Sequence, residues 1–170
     1  MESIAIRPVL DSDLPVVTSI YGHYVTHSTA TFELDPPSES EMAGRISMVC
    51  TMELPYLVAE QNGTILGFAY AGSYRPRPAY RFTVEDSIYL APGYTGKGVG
   101  FALLSAVIEH CQRGPWRQLI AVVGDSANHA SVRLHHRLGF RTVGTLMNVG
   151  YKFDRWVDTV ILQRSLDTSE

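Results

Sequence analysis

Three glycines at alternate positions, Gly96, Gly98 and Gly100, constrain this chain more than any other feature. They follow an apolar, strand-like segment (SIYLA, residues 87–91) and precede an apolar helical pattern. Glycines let the main chain approach a ligand with its N–H groups exposed, and the start of a helix adds a partial positive charge. The segment therefore predicts a strand, a tight turn and a helix whose first turn holds a pyrophosphate.

Two better-known phosphate motifs fit this turn less well. Gly93 and Gly98 have the separation of a P-loop, but Val99 stands where that motif requires Lys. The dinucleotide fingerprint needs its third glycine one residue later than this chain provides it, although Asp125 could act as the ribose-binding acid. A dinucleotide site and a turn that only caps a helix remain open as alternatives at this point.

Composition limits the class of protein and its partners. The chain has 170 residues, 45% hydrophobic and 18% charged, which is typical of one soluble globular domain. A net charge of -3 gives no general attraction to nucleic acid or to an anionic membrane. Cys50 and Cys111 lack metal-ligand spacing, so no metal site is expected. The first residues, MESI, resemble no export signal, and we expect a cytoplasmic protein with free thiols.

The order of predicted elements indicates a mixed sheet. Helices are predicted after Asp11 and over residues 39–51, 98–112 and 128–138. A weak strand near residues 4–6 and an extended segment at 29–33 precede strands at 56–59, 65–69, 82–90, 119–123, 143–149 and 157–162. Asn62 and Gly63 predict a hairpin, residues 73–80 an irregular loop, and residues 150–155 a connection between the last two strands.

This order predicts an α/β (α+β) fold with a mixed, mostly antiparallel central sheet flanked by helices. An antiparallel meander comes first and crossover helices follow. A pure dinucleotide-binding domain would alternate strand and helix from its first element, so the order disfavours that alternative.

In this context residues 95–100 (TGKGVG) resemble the acetyl-CoA signature R/Q-x-x-G-x-G/A of the GNAT N-acetyltransferase superfamily. Thr95 departs from the pattern, where Arg or Gln is usual. The resemblance covers nearly the whole chain and narrows to the phosphinothricin and methionine sulfoximine acetyltransferase branch. It is carried by residues 21–25, 28–29, 57–60, 68–72, 83–89, 130–135 and 149–156. It implies a single GNAT domain over residues 1–170, acetyl-CoA as the donor and a homodimer.

The resemblance also assigns a cofactor site. In such enzymes the strand before the turn parts from its neighbour, and the N–H of Leu90 would stabilise the oxyanion of the transferred acetyl group. Asn128 would contact the cofactor, or it would only cap the helix that it precedes. The implied cofactor-binding residues are Ile88, Tyr89, Leu90, Gly96, Lys97, Gly98, Val99, Gly100, Phe101 and Asn128.

Two residues are candidates for proton transfer. Glu85 has the strand parity opposite to Val84 and Asp86, so its carboxylate can face away from an apolar layer and accept a proton from an amine. His135 occupies a position where related enzymes place the proton donor to the departing thiolate, and imidazole titrates near neutrality. The alternative for Glu85 is a solvated acid on a strand, and the alternative for His135 is an ordinary packed histidine.

The acceptor residues are implied mainly by the resemblance. Arginines in the loop before Glu85 would hold carboxylate and phosphinate oxygens, because a guanidinium binds such groups with two parallel hydrogen bonds. Asp86 would pair with the substrate ammonium or hold a neighbouring loop, and Lys152 with Phe153 would reach the site from the partner subunit. The predicted substrate-binding residues are Phe32, Arg75, Arg77, Arg81, Glu85, Asp86 and Lys152.

The sequence is therefore interpreted as an acetyl-CoA-dependent N-acetyltransferase. Its expected acceptor is the α-amino group of a small amino acid analogue, with phosphinothricin, methionine sulfoximine and methionine sulfone as candidates and detoxification as the purpose. Neither nucleic acid nor a membrane is an expected partner. A non-catalytic acyl-CoA sensor, which Thr95 would suit, and a dinucleotide-dependent oxidoreductase are the alternatives.

Overall fold

The computed structural model describes residues 3–167, so residues 1–2 and 168–170 of the predicted domain, with the first part of MESI, lie outside the described range. The strands are β1 (Ala5–Pro8), β2 (Tyr56–Gln61), β3 (Thr64–Ser73), β4 (Thr83–Leu90), β5 (Gln118–Gly124), β6 (Arg141–Lys152) and β7 (Arg155–Ser165). The helices are α1 (Leu14–His27), α2 (Glu39–Thr51), α3 (Val99–Gln112) and α4 (His129–Arg137), with short 3-10 turns at Asp11–Asp13 and Pro78–Tyr80.

All seven strands join one sheet in the order β1-β2-β3-β4-β5-β7-β6. Every pairing is antiparallel except that of β4 with β5, which α3 connects as a crossover helix. The structure thus confirms the predicted mixed, mostly antiparallel sheet flanked by helices. Local signals in the sequence account for much of it: Ser38 and Glu41 form a capping box at the start of α2, and Asn62 and Gly63 turn the β2–β3 hairpin with positive φ.

The pleat of β4 divides the chemistry between two faces of the sheet. Tyr89 points to α1, where its ring lies 5.1 Å from that of Tyr21. Ile88 and Leu90 point the other way, and both would contact a Cβ placed on Gly100 in α3. Residues 85, 87 and 89 therefore share the α1 face, and residues 84, 86, 88 and 90 share the α3 face.

The parallel pairing of β4 and β5 is short. It runs from the pair of Thr83 with Gln118 to the pair of Asp86 with Ala121, although β4 continues to Leu90 and β5 to Gly124. The last four residues of β4 keep their antiparallel partners on β3. The two strands therefore separate towards their carboxyl ends and leave a wedge-shaped opening in the middle of the sheet.

Two predicted segments differ from the structure. Residues 29–33 were expected to be extended, but they are irregular and lie in the connection between α1 and α2. The last two strands are longer than predicted, because only the two residues Phe153 and Asp154 connect them. Both have positive φ, 52° and 56°, and neither is the glycine or asparagine that would have indicated such a turn.

Gly67 allows the close approach of β3 to the end of β4, beside the opening. A Cβ at this position would lie 2.7 Å from the carbonyl oxygen of Tyr89 and 2.7 Å from Cδ2 of Leu90. We expect Gly67→Ala to lower the free energy of unfolding by about 1–3 kcal/mol, since backbone atoms must move. Gly72→Ala on the same strand, where nothing lies within 4 Å, is the matched control. Urea titrations that gave both variants the same stability would contradict this prediction.

Candidate active site

An open cleft of about 690 Å³ lies where β4 and β5 separate. Its walls are the end of β4, the glycine turn and first turn of α3, the end of β5, the start of α4 and the loop after α1. Of the predicted cofactor residues, the following line it: Ile88, Tyr89, Leu90, Gly96, Gly98, Gly100, Phe101 and Asn128. The structure therefore brings most of them to one surface.

The glycine turn has the conformation that the sequence predicted. Gly98 is the N-cap of α3 with φ 84°, Gly96 has φ 75°, and both are exposed. The start of this 14-residue helix has no side-chain cap, and Gly98 and Gly100 line the cleft, so free N–H groups there would stabilise a diphosphate. Lys97 and Val99 do not line the cleft: the Lys97 ammonium lies 5.1 Å from the Tyr94 ring centroid, and Val99 is buried in the core.

The main chain of Leu90 faces the opening, and a tyrosine of α1 contacts it there. The Tyr24 hydroxyl donates to the Leu90 carbonyl at 2.8 Å, and the Leu90 N–H donates back to the same hydroxyl at 3.3 Å. Burial raises the pKa of Tyr24, so the hydroxyl keeps its proton at neutral pH. Nothing in the sequence pattern indicated this contact, which joins residues 66 positions apart.

Glu85 lies on the α1 face of β4 and is partly buried. Burial raises its pKa to about 7, the nearby Asp86 charge adds to this effect, and the positive charge of Arg75 opposes it. A carboxylate with this pKa exchanges protons readily at neutral pH. Arg75 therefore lies close enough to act on Glu85 electrostatically, as expected for two residues of one site.

Asp86 and His135 form a buried pair on the opposite face of β4. His135 Nε2 lies 2.9 Å from Asp86 Oδ2, and the two side chains are 2% and 1% exposed. His135 Nδ1 lies 2.7 Å from the carbonyl oxygen of Ser131, so that ring nitrogen must carry a proton. Burial lowers the pKa of His135, but the charge and hydrogen bond of Asp86 and the Ser131 carbonyl together raise it by more, so the pKa lies above its ordinary value.

This geometry bears on two expectations. Asp86 was expected to pair with the substrate ammonium or to hold a neighbouring loop; it lines the cleft with His135, and its carboxylate binds His135 on the face of β4 opposite to Glu85. His135 was predicted to protonate a departing thiolate, but both of its ring nitrogens are engaged within the protein. Asn128 also has a local role, because its side chain accepts the N–H of Ser131 and caps α4.

The three predicted arginines lie together on the loop between β3 and β4. All are exposed, and two of them stack on neighbouring rings, Arg75 on Tyr74 at 5.1 Å and Arg81 on Phe82 at 4.5 Å. Arg77 precedes the short 3-10 turn. The loop therefore presents guanidinium groups near Glu85 on a surface that solvent can reach.

Lys152 contacts its own chain, which corrects the expectation that it reaches a partner's site. Its Nζ donates to the carbonyl oxygens of Ser28 and Thr31, at 2.7 Å each. Asp125, weighed above as a ribose-binding acid, accepts hydrogen bonds from Thr29 and Arg155 at 3.0 and 2.6 Å. The connection after α1 is thus fastened to the C-terminal half of the sheet.

Comparison with known proteins agrees with this architecture. Residues 22–140 match the model of the Acetyltransferase (GNAT) family. The chain belongs to the GNAT family. The phosphinothricin N-acetyltransferase of Alcaligenes faecalis is 54% identical over 165 residues, which cover 97% of this chain and 84% of that protein. The L-methionine sulfoximine/L-methionine sulfone acetyltransferase of Salmonella typhimurium is 35% identical, over 96% of this chain and 95% of that protein.

The fold is also that of a solved relative. The crystal structure of a GNAT phosphinothricin acetyltransferase from Sinorhizobium meliloti, in complex with AcCoA, superposes with a TM-score of 0.93 at 44% identity, covering 96% of this chain and 89% of that one. The GNAT fold and an acyltransferase activity are thereby established for this chain. Within residues 3–167 no helix is long and apolar enough to cross a membrane, and no three His, Cys, Asp or Glu side chains are grouped as a metal site would require.

The buried Asp86–His135 pair predicts a pH-dependent stability. A raised histidine pKa contributes stability that is fully present below 6.5, the ordinary value, and is lost as the pH rises through the raised pKa. We expect Asp86→Asn to lower the free energy of unfolding by about 3 kcal/mol below pH 6.5, with a smaller difference at higher pH. Denaturant titrations across this range measure it, with the exposed Asp35→Asn as the control. A difference that did not change with pH would contradict the assignment.

Proposed function

We propose that this GNAT protein transfers an acetyl group from acetyl-CoA to the α-amino group of a small amino acid analogue. Phosphinothricin, methionine sulfoximine and methionine sulfone are the proposed acceptors, since relatives at 54% and 35% identity carry these names. The observation that carries the proposal is the opening between β4 and β5, which ends on the glycine turn at the start of α3. It joins a diphosphate site to a place where a thioester can meet an amine.

The cofactor arm would run along the opening. The exposed turn around Gly96 and Gly98 would hold the diphosphate, and the main chain of Ile88 and Leu90, which has no partner strand on the β5 side, would bind the pantetheine amides. The Leu90 N–H is the proposed donor to the oxyanion of the tetrahedral intermediate. This N–H donates to the Tyr24 hydroxyl, and that hydrogen bond would break when the thioester enters.

Glu85 is the proposed general base. An amino acid carries an ammonium group at neutral pH, and it becomes a nucleophile only after losing a proton. Glu85, with a pKa of about 7, can take this proton directly or through one water molecule. The amine nitrogen would then attack the thioester carbon and the C–S bond would break. The second proton that the nitrogen loses in forming the amide would go to the departing thiolate.

Charge complementarity supports an acidic acceptor. Arg75 and Arg81 would bind the carboxylate and the phosphinate, or the sulfoximine or sulfone oxygens, from the loop that flanks Glu85. Phe32 would contribute an apolar wall, with 37% of its surface exposed. We assign Asp86 and His135 to holding α4 against β4, since His135 Nε2 lies 2.9 Å from Asp86 Oδ2 and His135 Nδ1 binds the Ser131 carbonyl of α4.

A coupled assay of thiol release tests the proposal. Purified protein is mixed with acetyl-CoA and, in turn, with phosphinothricin, methionine sulfoximine, methionine sulfone and the ordinary amino acids. We expect the highest kcat/KM for one of the three analogues, which would fit a detoxifying enzyme of the cytoplasm. Binding of acetyl-CoA without thiol release for any acceptor would leave the sensor interpretation instead.

The pH profile of this reaction tests Glu85. Because only the carboxylate can accept a proton, kcat/KM is expected to rise with pH to a plateau above about 7, the pKa of Glu85, and to fall about tenfold per pH unit below it. Glu85→Gln should lower kcat by about 10²–10⁴-fold and remove this acid limb. Glu53→Gln, an exposed acid remote from the cleft, is the control. Full activity of Glu85→Gln would exclude the general-base role.

We propose that two copies of the chain associate through β6. This strand is the last in the sheet, and the apolar side chains of the β6–β7 hairpin are exposed. They are Val143, Leu146, Met147, Val149, Tyr151, Phe153 and Trp156. So many exposed apolar side chains on one hairpin are typical of an interface.

Light scattering should therefore give about twice the chain mass of 18.8 kDa. The double variant Met147→Glu with Val149→Glu is expected to give the monomer mass, since charges would be buried without partners. Asp154→Asn, at the exposed turn of the same hairpin, serves as the control. A wild-type protein that stays monomeric at high concentration would refute the dimer.

A further inference from the structure

The end of β6 has different functions on its two faces. Gly150 and Lys152 point inwards and are buried. Val149 and Tyr151, which alternate with them along the strand, are more than half exposed. The inward pair meets the connection between α1 and α2. Residues 28–32 of this connection will be called the acceptor loop, because Ser28, Thr29 and Ala30 line the cleft and Thr31 contacts Tyr21 beside the Glu85 face of β4.

The Lys152 ammonium is almost fully buried, with 3% of the residue exposed. Two of its three N–H donors bind the carbonyl oxygens of Ser28 and Thr31, and it lies 5.1 Å from the ring centroid of Phe153. An irregular loop lacks the backbone hydrogen bonds by which a helix or a sheet satisfies its carbonyl groups. Here the Lys152 ammonium supplies hydrogen bonds to two of them. A buried charge is costly unless it is hydrogen-bonded. The ammonium is therefore stable only when the loop places both carbonyl groups next to it, so the contact favours one loop geometry.

Gly150 fixes the same loop by a second, independent contact. A Cβ at Gly150 would overlap the ring of Phe32, and a Cβ at Gly124 on β5 would come within 3.2 Å of that ring. The ring of Phe32 therefore packs against two glycines, one on β5 and one on β6, the two strands that flank β7. Thr29 adds a hydrogen bond of 3.0 Å to Asp125. The acceptor loop is thus held at both ends and in its middle.

The acceptor loop in turn contacts the face of β4 that carries Glu85. The hydroxyl groups of Thr31 and Tyr21 lie 2.9 Å apart, and the ring of Tyr21 packs edge-on against Tyr89 at 5.1 Å. Tyr89 and Glu85 share one side of β4. A displacement of Thr31 would therefore move the wall next to the proposed base while leaving the glycine turn of α3 untouched.

We propose that Lys152 is a positioning residue that sets the affinity for the amine acceptor, by holding the acceptor loop without itself contacting the substrate. This inference rests on the proposed function for its kinetic part. It predicts a larger effect on the acceptor than on the cofactor, because Thr31 contacts Tyr21 next to the Glu85 face of β4, whereas the proposed diphosphate site is the glycine turn of α3. Lys152 and Gly150 both hold the acceptor loop.

The test compares Lys152→Met and Gly150→Ala with Lys152→Arg and with Arg141→Met, which removes an exposed cation from the start of the same strand. Lys152→Met is expected to raise the acceptor KM at least about 10-fold, the effect of losing charged hydrogen bonds, with a smaller change in kcat. The Kd of acetyl-CoA, from calorimetry, should stay within about 2-fold. Gly150→Ala should act in the same direction, Lys152→Arg should restore part of the affinity, and Arg141→Met should have no effect.

Hydrogen exchange of residues 28–33 provides a readout that does not need activity. In Lys152→Met their exchange should quicken at least about 10-fold, while β4 and α3 exchange as in the wild type. Equal loss of affinity for both substrates, or unchanged exchange of the loop, would overturn the inference. If no acceptor is acetylated by the wild type, the proposed function fails, and the exchange comparison alone decides the role of Lys152.

Discussion

The separation of β4 from β5 is the constraint on which the rest of the site depends. Parallel pairing ends at Asp86 and Ala121, and the main-chain groups of the next residues of β4 are left without a strand partner on that side. Backbone polar groups in a protein interior require partners, and here the Tyr24 hydroxyl supplies them at Leu90. The opening is therefore a region of unpaired strand that can exchange an internal partner for a ligand.

The pleat of β4 places two neighbouring acids in different environments. Glu85 faces α1 and a guanidinium loop, with a pKa raised to about 7. Asp86, one residue later, faces α4 and is bonded to His135. Each acid influences the other, since the Asp86 charge contributes to the raised pKa of Glu85. Alternation along a single strand thus separates a group that can exchange protons from one that maintains the packing of a helix.

Whether a feature of the fold or the site could be predicted depended on how far apart in the sequence the interacting residues lie. The glycine turn, the Ser38 capping box and the Asn62–Gly63 hairpin are local patterns, and all three have the predicted form. The Asp86–His135 pair spans 49 residues and the Lys152–Thr31 contact spans 121, so no periodicity could reveal either. Residues 29–33 were expected to be extended, but they are irregular, and the distant Lys152 binds the carbonyl groups of Ser28 and Thr31. Long-range electrostatic contacts prevailed over local propensity there.

The alternation at the end of β6 has an evolutionary consequence. The inward residues of this strand fasten the acceptor loop, and the outward residues form the apolar surface of the hairpin. A strand cannot shift on one face and stay fixed on the other. Any change that moves the outer surface would also displace Gly150 and Lys152, so the proposed dimer contacts and the proposed acceptor preference are expected to vary together among homologues, even though the two surfaces share no side chain.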